Sequence, residues 1–488
     1  MDSNGSGGMN RHLQRRSHTL TAITGMLPPG KKKRQNFSFL LLFNNLNNMV
    51  KVKALSRSSN DYVRERVEDI HKVQRNLDPT AHPFEQGREY TRALNSVKLD
   101  RMFAKPFVGS LNGHIDGVYC LTKHPSKLNS MISGSGDGEI RIWEVSEERT
   151  TWRVQGHRGL VSGVCPGKDE GRFLSCSTDK TVKVWGDDSE PIETYMGKHA
   201  FTGLSHHRSD PIFATSGGTV EVWDESRSEP IHDFAWGADS YQTVKFNQVQ
   251  QNIFASCGTD RTIVLYDLRT SKPLSKLVMS LKTNAIAWNP MEAYIFTTGS
   301  EDHNAYTFDM RNMTSAKNVL KDHVSAIMDV DYSPTGQEIV TGSYDRTIRL
   351  YDVGTGHSRD CYHTKRMQRI FAVQYSMDSK YVLSGSDDGN IRIWKAHANE
   401  KMGVKDWREK NKLEYSAKLK ERYGHMKDIR RIDKHRRTPK DIKLADSTKK
   451  EMIKAERRKE ELRRKHSKKL DATRRVPERE KAIIGIAK

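Results

Sequence analysis

Histidine, serine and aspartate are the residue types from which hydrolytic triads are built, and this chain presents them in sets: His114, Ser133 and Asp137, then His157, Ser175 and Asp179. A nucleophile needs a base to take its proton and a third group to orient that base. Each set is followed by a tryptophan, Trp143 or Trp185, six residues beyond the aspartate. A spacing that recurs along the chain argues for architecture, because a catalytic centre is one convergent constellation. Elsewhere there is no phosphate-binding glycine loop, no metal-ligand spacing and no isolated nucleophile with its base, so a non-catalytic chain is expected. The five cysteines, Cys120, Cys165, Cys176, Cys257 and Cys361, are scattered without a C-x-x-C pair. They favour a reducing compartment over a zinc site or a disulfide framework, and no metal or cofactor is expected.

The elements that must carry these residues are repeats. Seven segments end alike: Ile140-Arg141-Ile142-Trp143, Val182-Lys183-Val184-Trp185, Val220-Glu221-Val222-Trp223, Ile263-Val264-Leu265-Tyr266, Ala305-Tyr306-Thr307-Phe308, Ile348-Arg349-Leu350-Tyr351 and Ile391-Arg392-Ile393-Trp394. Their aromatic residues are 38 to 43 positions apart, near the period of a four-stranded propeller blade. Most copies alternate apolar and polar residues, as strands do. The reading is an all-β, seven-bladed β-propeller. Six copies keep an aspartate six residues before the aromatic, namely Asp137, Asp179, Asp260, Asp302, Asp345 and Asp388. Each is expected to cap a turn and can bond a histidine at the start of the blade, recognisable in Gly113-His114, Gly156-His157 and Asp322-His323. The third copy, Ser216-Gly217-Gly218-Thr219, lacks the aspartate, and its turn should be tighter. Phe103 to Val108 is expected to be the outer strand that completes the last blade and closes the ring.

Charge divides the chain. Of the formal +21, residues 1–48 carry +6 and residues 395–488 carry +17, leaving the middle near neutral. The expected organisation is a disordered basic leader over 1–48, an extended arm over 49–100 with a short helix near Glu85–Leu94, the propeller over 101–396, and a basic, largely helical tail over 397–488. Lys31-Lys32-Lys33-Arg34 has the composition of a nuclear localisation signal or of a plain solvated charge run, and the leader as a whole also has the composition of a transit peptide, without its amphipathic period. Phe39-Leu40-Leu41-Leu42-Phe43 is too short to span a bilayer, which takes about 20 apolar residues, so no membrane partner is expected.

In the tail, Arg436, Arg437, Arg457, Arg458, Lys459, Arg463, Arg464 and Lys465 are candidates for phosphate contact, giving salt-sensitive grip without sequence specificity. The alternative is a charge-laced helix lying on protein, with Glu460 to Arg464 and Glu461 to Lys465 spaced for pairing. The tail has no aromatic residue after Tyr423, so it offers no base stacking. Lys365, Arg366 and Arg369 make a basic spot where blade seven begins.

The Gly-His and Trp-Asp-type endings are similar to those of the WD-repeat superfamily. Arg75-Asn76-Leu77-Asp78-Pro79, His82-Pro83-Phe84-Glu85 and Arg101 to Phe107 resemble the amino-terminal arm of the Sof family of WD-repeat proteins. Tyr415 to Tyr423, Ile432 to Lys440 and Arg463 to Ser467 resemble that family's carboxy-terminal domain. The resemblance covers residues 49–488, and Met49-Val50-Lys51-Val52-Lys53 looks like the usual family start. Residues 1–48 are thus expected to reflect an upstream start or a gene-model error. The resemblance implies a nuclear, nucleolar component of the small-subunit processome that works with pre-ribosomal particle proteins, a box C/D small nucleolar RNP and the ribosomal RNA precursor. Animal members are also similar to substrate receptors of a cullin-RING ubiquitin ligase, whose adaptor is met by a Trp-Asp-x-Arg box. The nearest matches are Tyr266-Asp267-Leu268-Arg269 and Phe308-Asp309-Met310-Arg311, each with another aromatic in place of Trp. Asp267, Arg269, Asp309 and Arg311 are therefore the candidate adaptor-binding residues. Arg269 and Arg311 follow a strand, where they can meet a partner or simply pair with a nearby acid.

Overall fold

The computed structural model describes residues 78–487, apart from 125–126, 169–170, 187, 236–239, 271 and 469–475. The leader, the basic run at Lys31 to Arg34 and most of the arm lie outside the described residues. The chain divides into two units, Met1–Ala81 and His82–Lys488. Of the first, the described part is Asp78 and a single 3-10 turn, Pro79–Ala81.

The second unit carries seven antiparallel sheets of four or more strands. In sequence order the blades occupy 118–155, 161–196, 203–234, 241–279, 283–320, 327–362 and 370–395. The first strand of each blade packs against the first strands of the blades before and after it, and blade seven meets blade one, so the ring is closed. The aromatic residue at or next to the end of each third strand is what fills the space between blades: Trp143, Trp185, Trp223, Tyr266, Phe308, Tyr351 and Trp394 are all at most 2% exposed. An apolar-polar-apolar-aromatic strand thereby buries both faces between neighbouring sheets. In blade three the last paired residues across the turn, Ser216 and Val220, enclose three residues, against five between Gly134 and Ile140 in blade one. The tighter turn follows from the shorter repeat.

The ring is closed by Phe107–Asn112, which pairs with Asn390–Lys395 and sets Leu111 opposite Ile391. This strand begins four residues later than the sequence suggested. Phe103 instead ends a helix, its N–H bonded to the carbonyl of Leu99, and Pro106 has no N–H to give a ladder.

That helix, α1, runs over Glu85–Met102 and is longer than the expected Glu85–Leu94. It is no part of an extended arm. Its buried residues Glu89, Ala93 and Val97 fall on one stripe, four residues apart as a packed helix face requires, and that face meets α2 (Trp407–Tyr423) and α3 (Lys427–Asp433). The contact is partly polar, which hid it: Tyr423 Oη donates to Glu89 at 2.8 Å and Tyr90 Oη to Asp428 at 3.2 Å. Arg101 bridges from α1 to Asp360 of blade six at 3.1 Å.

The tail continues into α4, Lys440–His466, which buries no residue. It ends in a strand, Ile483–Ala487, that adds to the outer strand Pro273–Met279 of blade four, with Ile486 opposite Leu277. No helix among the described residues is long and apolar enough to cross a membrane.

Candidate functional site

The recurrent His, Ser and Asp sets are wired like triads yet sealed. In blade two Trp185 Nε1 donates to Ser175 Oγ at 2.7 Å, Ser175 reaches His157 Nε2 at 2.7 Å, and His157 Nδ1 meets Asp179 at 3.0 Å. Blade six repeats the pattern, His323 reaching Thr341 at 2.6 Å and Asp345 at 2.9 Å. Ser175 and Thr341 have no exposed surface, so no substrate reaches them. Burial lowers the pKa of His157 and His323 against the opposing pull of the carboxylates. The imidazoles are therefore neutral spacers in a network that fixes strand positions.

Blade one departs from expectation. His114 Nε2 lies 2.7 Å from Ser133 Oγ, which also accepts from Trp143 Nε1 at 2.7 Å, but its Nδ1 meets Glu139 at 3.1 Å, not Asp137. Asp137 keeps the turn-capping half of the role, accepting from the Glu139 N–H at 3.1 Å. Glu139 can displace it because its longer chain reaches the imidazole while pairing with Arg141 at 2.9 Å and with Arg153. Ligand atoms of His114, Asp137 and Glu139 lie within 4.8 Å of one another. Yet both His114 nitrogens and the Glu139 carboxylate are already engaged within the protein, so this set is an internal ion network. Other blades keep the aspartate and change its partner: Asp260 meets Lys276 at 3.3 Å, Asp302 takes the Tyr306 hydroxyl, and Asp388 takes Arg392.

The two candidate adaptor boxes have the same geometry. Asp267 closes its strand, and Arg269 returns to it through Nη2 at 2.8 Å, Nε at 3.1 Å and its own N–H at 3.0 Å. Arg311 binds Asp309 with the same three distances. The hydrogen bonds from each arginine hold the Asp267 and Asp309 carboxyls below the usual range. The guanidinium groups stay largely exposed, at 69% and 64%, and that of Arg311 lies 4.3 Å from the Tyr294 ring centroid. Local pairing and exposure thus coexist: the acid fixes the fork and leaves its outer face open. Both boxes follow third strands of adjacent blades, on the end of the ring opposite to that where the first strands begin.

Helix α4 of the tail lies on that other end. Lys449 of α4 donates to the His323 carbonyl at 2.9 Å, and Lys321 pairs with Glu478. The candidate phosphate-binding cations separate accordingly. Arg436 is half-buried and turned inward, bonded to the Lys434 carbonyl, its pKa lowered by burial against the pull of Asp322 and Asp360. Arg437, Arg458, Lys459, Arg463 and Lys465 are exposed. Arg457 is exposed but pairs with Glu478 at 2.6 Å, and Arg464 bonds the Glu460 carbonyl at 3.4 Å. The Glu460 carboxylate goes to Lys481 at 2.9 Å in place of Arg464, because the last strand brings Lys481 alongside. That strand, and the seat of α4 on blades five and six, had no signal in local spacing.

A closed ring of seven four-stranded blades, held by internal Trp, Ser, His and Asp networks, defines a WD-repeat β-propeller protein. The description WD domain, G-beta repeat matches residues 105–144, 148–186, 315–352 and 359–395, and the description Sof1-like domain matches 396–483. DDB1- and CUL4-associated factor 13 of Xenopus laevis is 51% identical over 426 residues, covering 86% of this chain and 96% of the relative. The Homo sapiens protein of that name is 48% identical over 446 residues, covering 90% and 100%. Protein SOF1 of Saccharomyces cerevisiae is 48% identical over 466 residues, covering 89% and 95%. The chain belongs to this Sof1-like family of WD-repeat proteins.

Proposed function

We propose that the protein is a non-catalytic scaffold in small-subunit ribosomal RNA processing, acting in the nucleolus within the small-subunit processome. The observation that carries this reading is likeness along the whole architecture: similarity to Protein SOF1 runs through propeller and tail together. The exposed cations of α4 support it, since Lys454, Arg458 and Lys465 are open to solvent and a basic helix of this kind neutralises phosphates. Pre-ribosomal particle proteins, a box C/D small nucleolar RNP and the ribosomal RNA precursor are the partners proposed. Gradient sedimentation of tagged full-length chain, with ultraviolet crosslinking and sequencing of bound RNA, tests it. Co-sedimentation with large pre-ribosomal particles and enrichment of precursor and small nucleolar RNA are expected. Migration as a free protein without such RNA overturns the reading.

A second reading, as substrate receptor of a cullin-RING ubiquitin ligase, is favoured by the matched Asp267–Arg269 and Asp309–Arg311 forks and by the name of the vertebrate relatives, DDB1- and CUL4-associated factor 13. Arg269→Ala combined with Arg311→Ala should reduce capture of the ligase adaptor at least tenfold in a pull-down and leave the melting temperature unchanged. Undiminished capture would remove the two boxes from the interface. Since the boxes and α4 lie on opposite ends of the ring, one molecule can serve both roles.

A further inference from the structure

The first strand of six blades bulges at the same place. In Val118–Lys123, Val161–Pro166, Tyr241–Phe246, Thr283–Trp288, Ile327–Tyr332 and Ile370–Tyr375 the register shifts between the first and third residues. The residue left unpaired is Tyr119, Ser162, Gln242, Asn284, Met328 or Phe371 in turn. A bulge re-aims the side chain it carries, and here it does so at one end of the ring. Two of these residues tie neighbouring blades together, Ser162 donating to the Phe201 carbonyl at 2.8 Å and Asn284 to the Ile327 carbonyl at 2.9 Å. Tyr119 and Phe371, in adjacent blades one and seven, are the aromatic pair of the set. Their rings stack at 4.5 Å and 13°, and both are only half-buried. Tyr344, at the head of the turn in blade six, meets Phe371 edge-on at 5.8 Å and carries Arg369 over its face at 5.0 Å.

Cations gather at the same place. Blades one, two and six set a buried histidine four residues before the first strand, at His114, His157 and His323, whereas blade seven sets an exposed arginine there, Arg366. Lys365 and Arg369 beside it are exposed too. Arg437 of the tail stands near enough to His363 for its charge to add to burial in lowering that pKa. Two exposed acids, Asp116 and Asp387, sit by the Tyr119 hydroxyl, leaving the cations in excess on the Arg369 side. Aromatic faces beside a cationic track are the two components of single-strand recognition: stacking accepts any base, and the charges follow the backbone. An acidic peptide would use the charges but not the rings.

We propose that the Tyr119, Phe371 and Tyr344 cluster, with Arg366, Arg369 and Arg437, is a single-stranded RNA site at which a base extends the aromatic stack and phosphates lie along the arginines. This rests on the reading that the protein works on RNA, and it adds that base contact belongs to the propeller while the tail helix supplies backbone grip. Fluorescence anisotropy of the full chain with an oligouridylate of about 12 nucleotides, and with an abasic strand of equal length and charge, separates the two contributions. The unaltered chain should favour the oligouridylate by about 5- to 100-fold. Phe371→Leu and, separately, Tyr119→Leu should remove that preference and leave abasic binding unchanged. Arg458→Glu with Lys465→Glu should weaken both probes alike. Equal affinity of the unaltered chain for the two probes, or a preference that survives both leucine variants, overturns the proposal, as does displacement of oligouridylate by polyglutamate at equal charge concentration. Failure here leaves the scaffold reading standing wherever the leucine variants still sediment with pre-ribosomal particles.

Discussion

Asp345→Ala is expected to lower the free energy of unfolding by about 3 kcal/mol, whereas Asp137→Ala costs about 1 kcal/mol, although the two residues occupy the same position in their repeats. Asp345 is 3% exposed at its side chain and accepts from His323 at 2.9 Å, from the Val324 N–H at 3.2 Å and from the Thr347 N–H at 2.9 Å. Removing it strands these donors and the Thr347 hydroxyl, which it also accepts, at once. Asp137 holds the single N–H of Glu139. In blade one the large cost moves to Glu139→Ala, which leaves His114 and the buried Arg141 without the carboxylate they share, again about 3 kcal/mol. Urea denaturation of the three variants reads the difference, and equal midpoints for the Asp137 and Asp345 variants would refute the division of roles. The same networks set a pH dependence. Burial lowers the pKa of His114, His157 and His323 from 6.5 in the folded protein, so below that value the unfolded chain takes up protons that the folded one refuses. Their contribution is whole above pH 6.5 and is lost as pH falls through the lower folded values. Asp179 and Asp345 are depressed below 3.8, where hydrogen bonds and the neighbouring histidine outweigh burial, and add a further loss in stronger acid. Melting temperature should fall between pH 7 and pH 5, and fall less in His323→Gln.

What the sequence made legible was whatever recurs. An aromatic residue closing an alternating strand needs no distant information, because each blade solves the same packing problem with its neighbour, and the seven endings mark the ring by themselves. The partner of the recurring aspartate was not legible in the same way. It is His323 in one blade and Lys276, Tyr306 or Arg392 in others, since any donor that projects to the turn can satisfy a carboxylate. The α1 contact was hidden because Glu89 stands where an apolar residue would have revealed a packing face, and its acceptor is satisfied by Tyr423 far along the chain. Likewise Ile483-Ile484-Gly485-Ile486 is too short to read as a strand by itself; it becomes one because blade four offers an unpaired edge, which a sheet gains by covering. The bulged positions were beyond reach, since a bulge shows in pairing register and not in composition.

Ending the chain at Ala396 is expected to damage the protein far more than reversing the charge of its tail, and the comparison separates the tail's two tasks. Truncation removes Leu419 and Ile429 from the helical cluster and Ala482 from the blade-four edge, each at most 4% exposed. It also uncovers Ala93, Val97, Leu277 and Met279, which are 0 to 2% exposed. Burial of a Val, Leu, Ile or Met side chain stabilises by about 1.5–3 kcal/mol, so a loss on the order of 5 kcal/mol follows, together with a bare strand edge that invites aggregation. Loss of RNA from such a fragment would say nothing about which residues touch RNA. Lys454→Glu, Arg458→Glu and Lys465→Glu act on exposed positions of α4, where substitutions shift stability by about 0.5 kcal/mol or less. Three lost phosphate contacts should flatten the dependence of log affinity on log salt by about 2 for a single strand. A variant that melts like the parent, binds RNA at least tenfold more weakly at low salt and shows that flattened salt dependence would assign the grip to α4. If salt dependence and affinity both persist, the charge of the tail serves its seat on the propeller, through Lys449, Lys481 and Arg457, and the RNA contact must be sought on the ring itself.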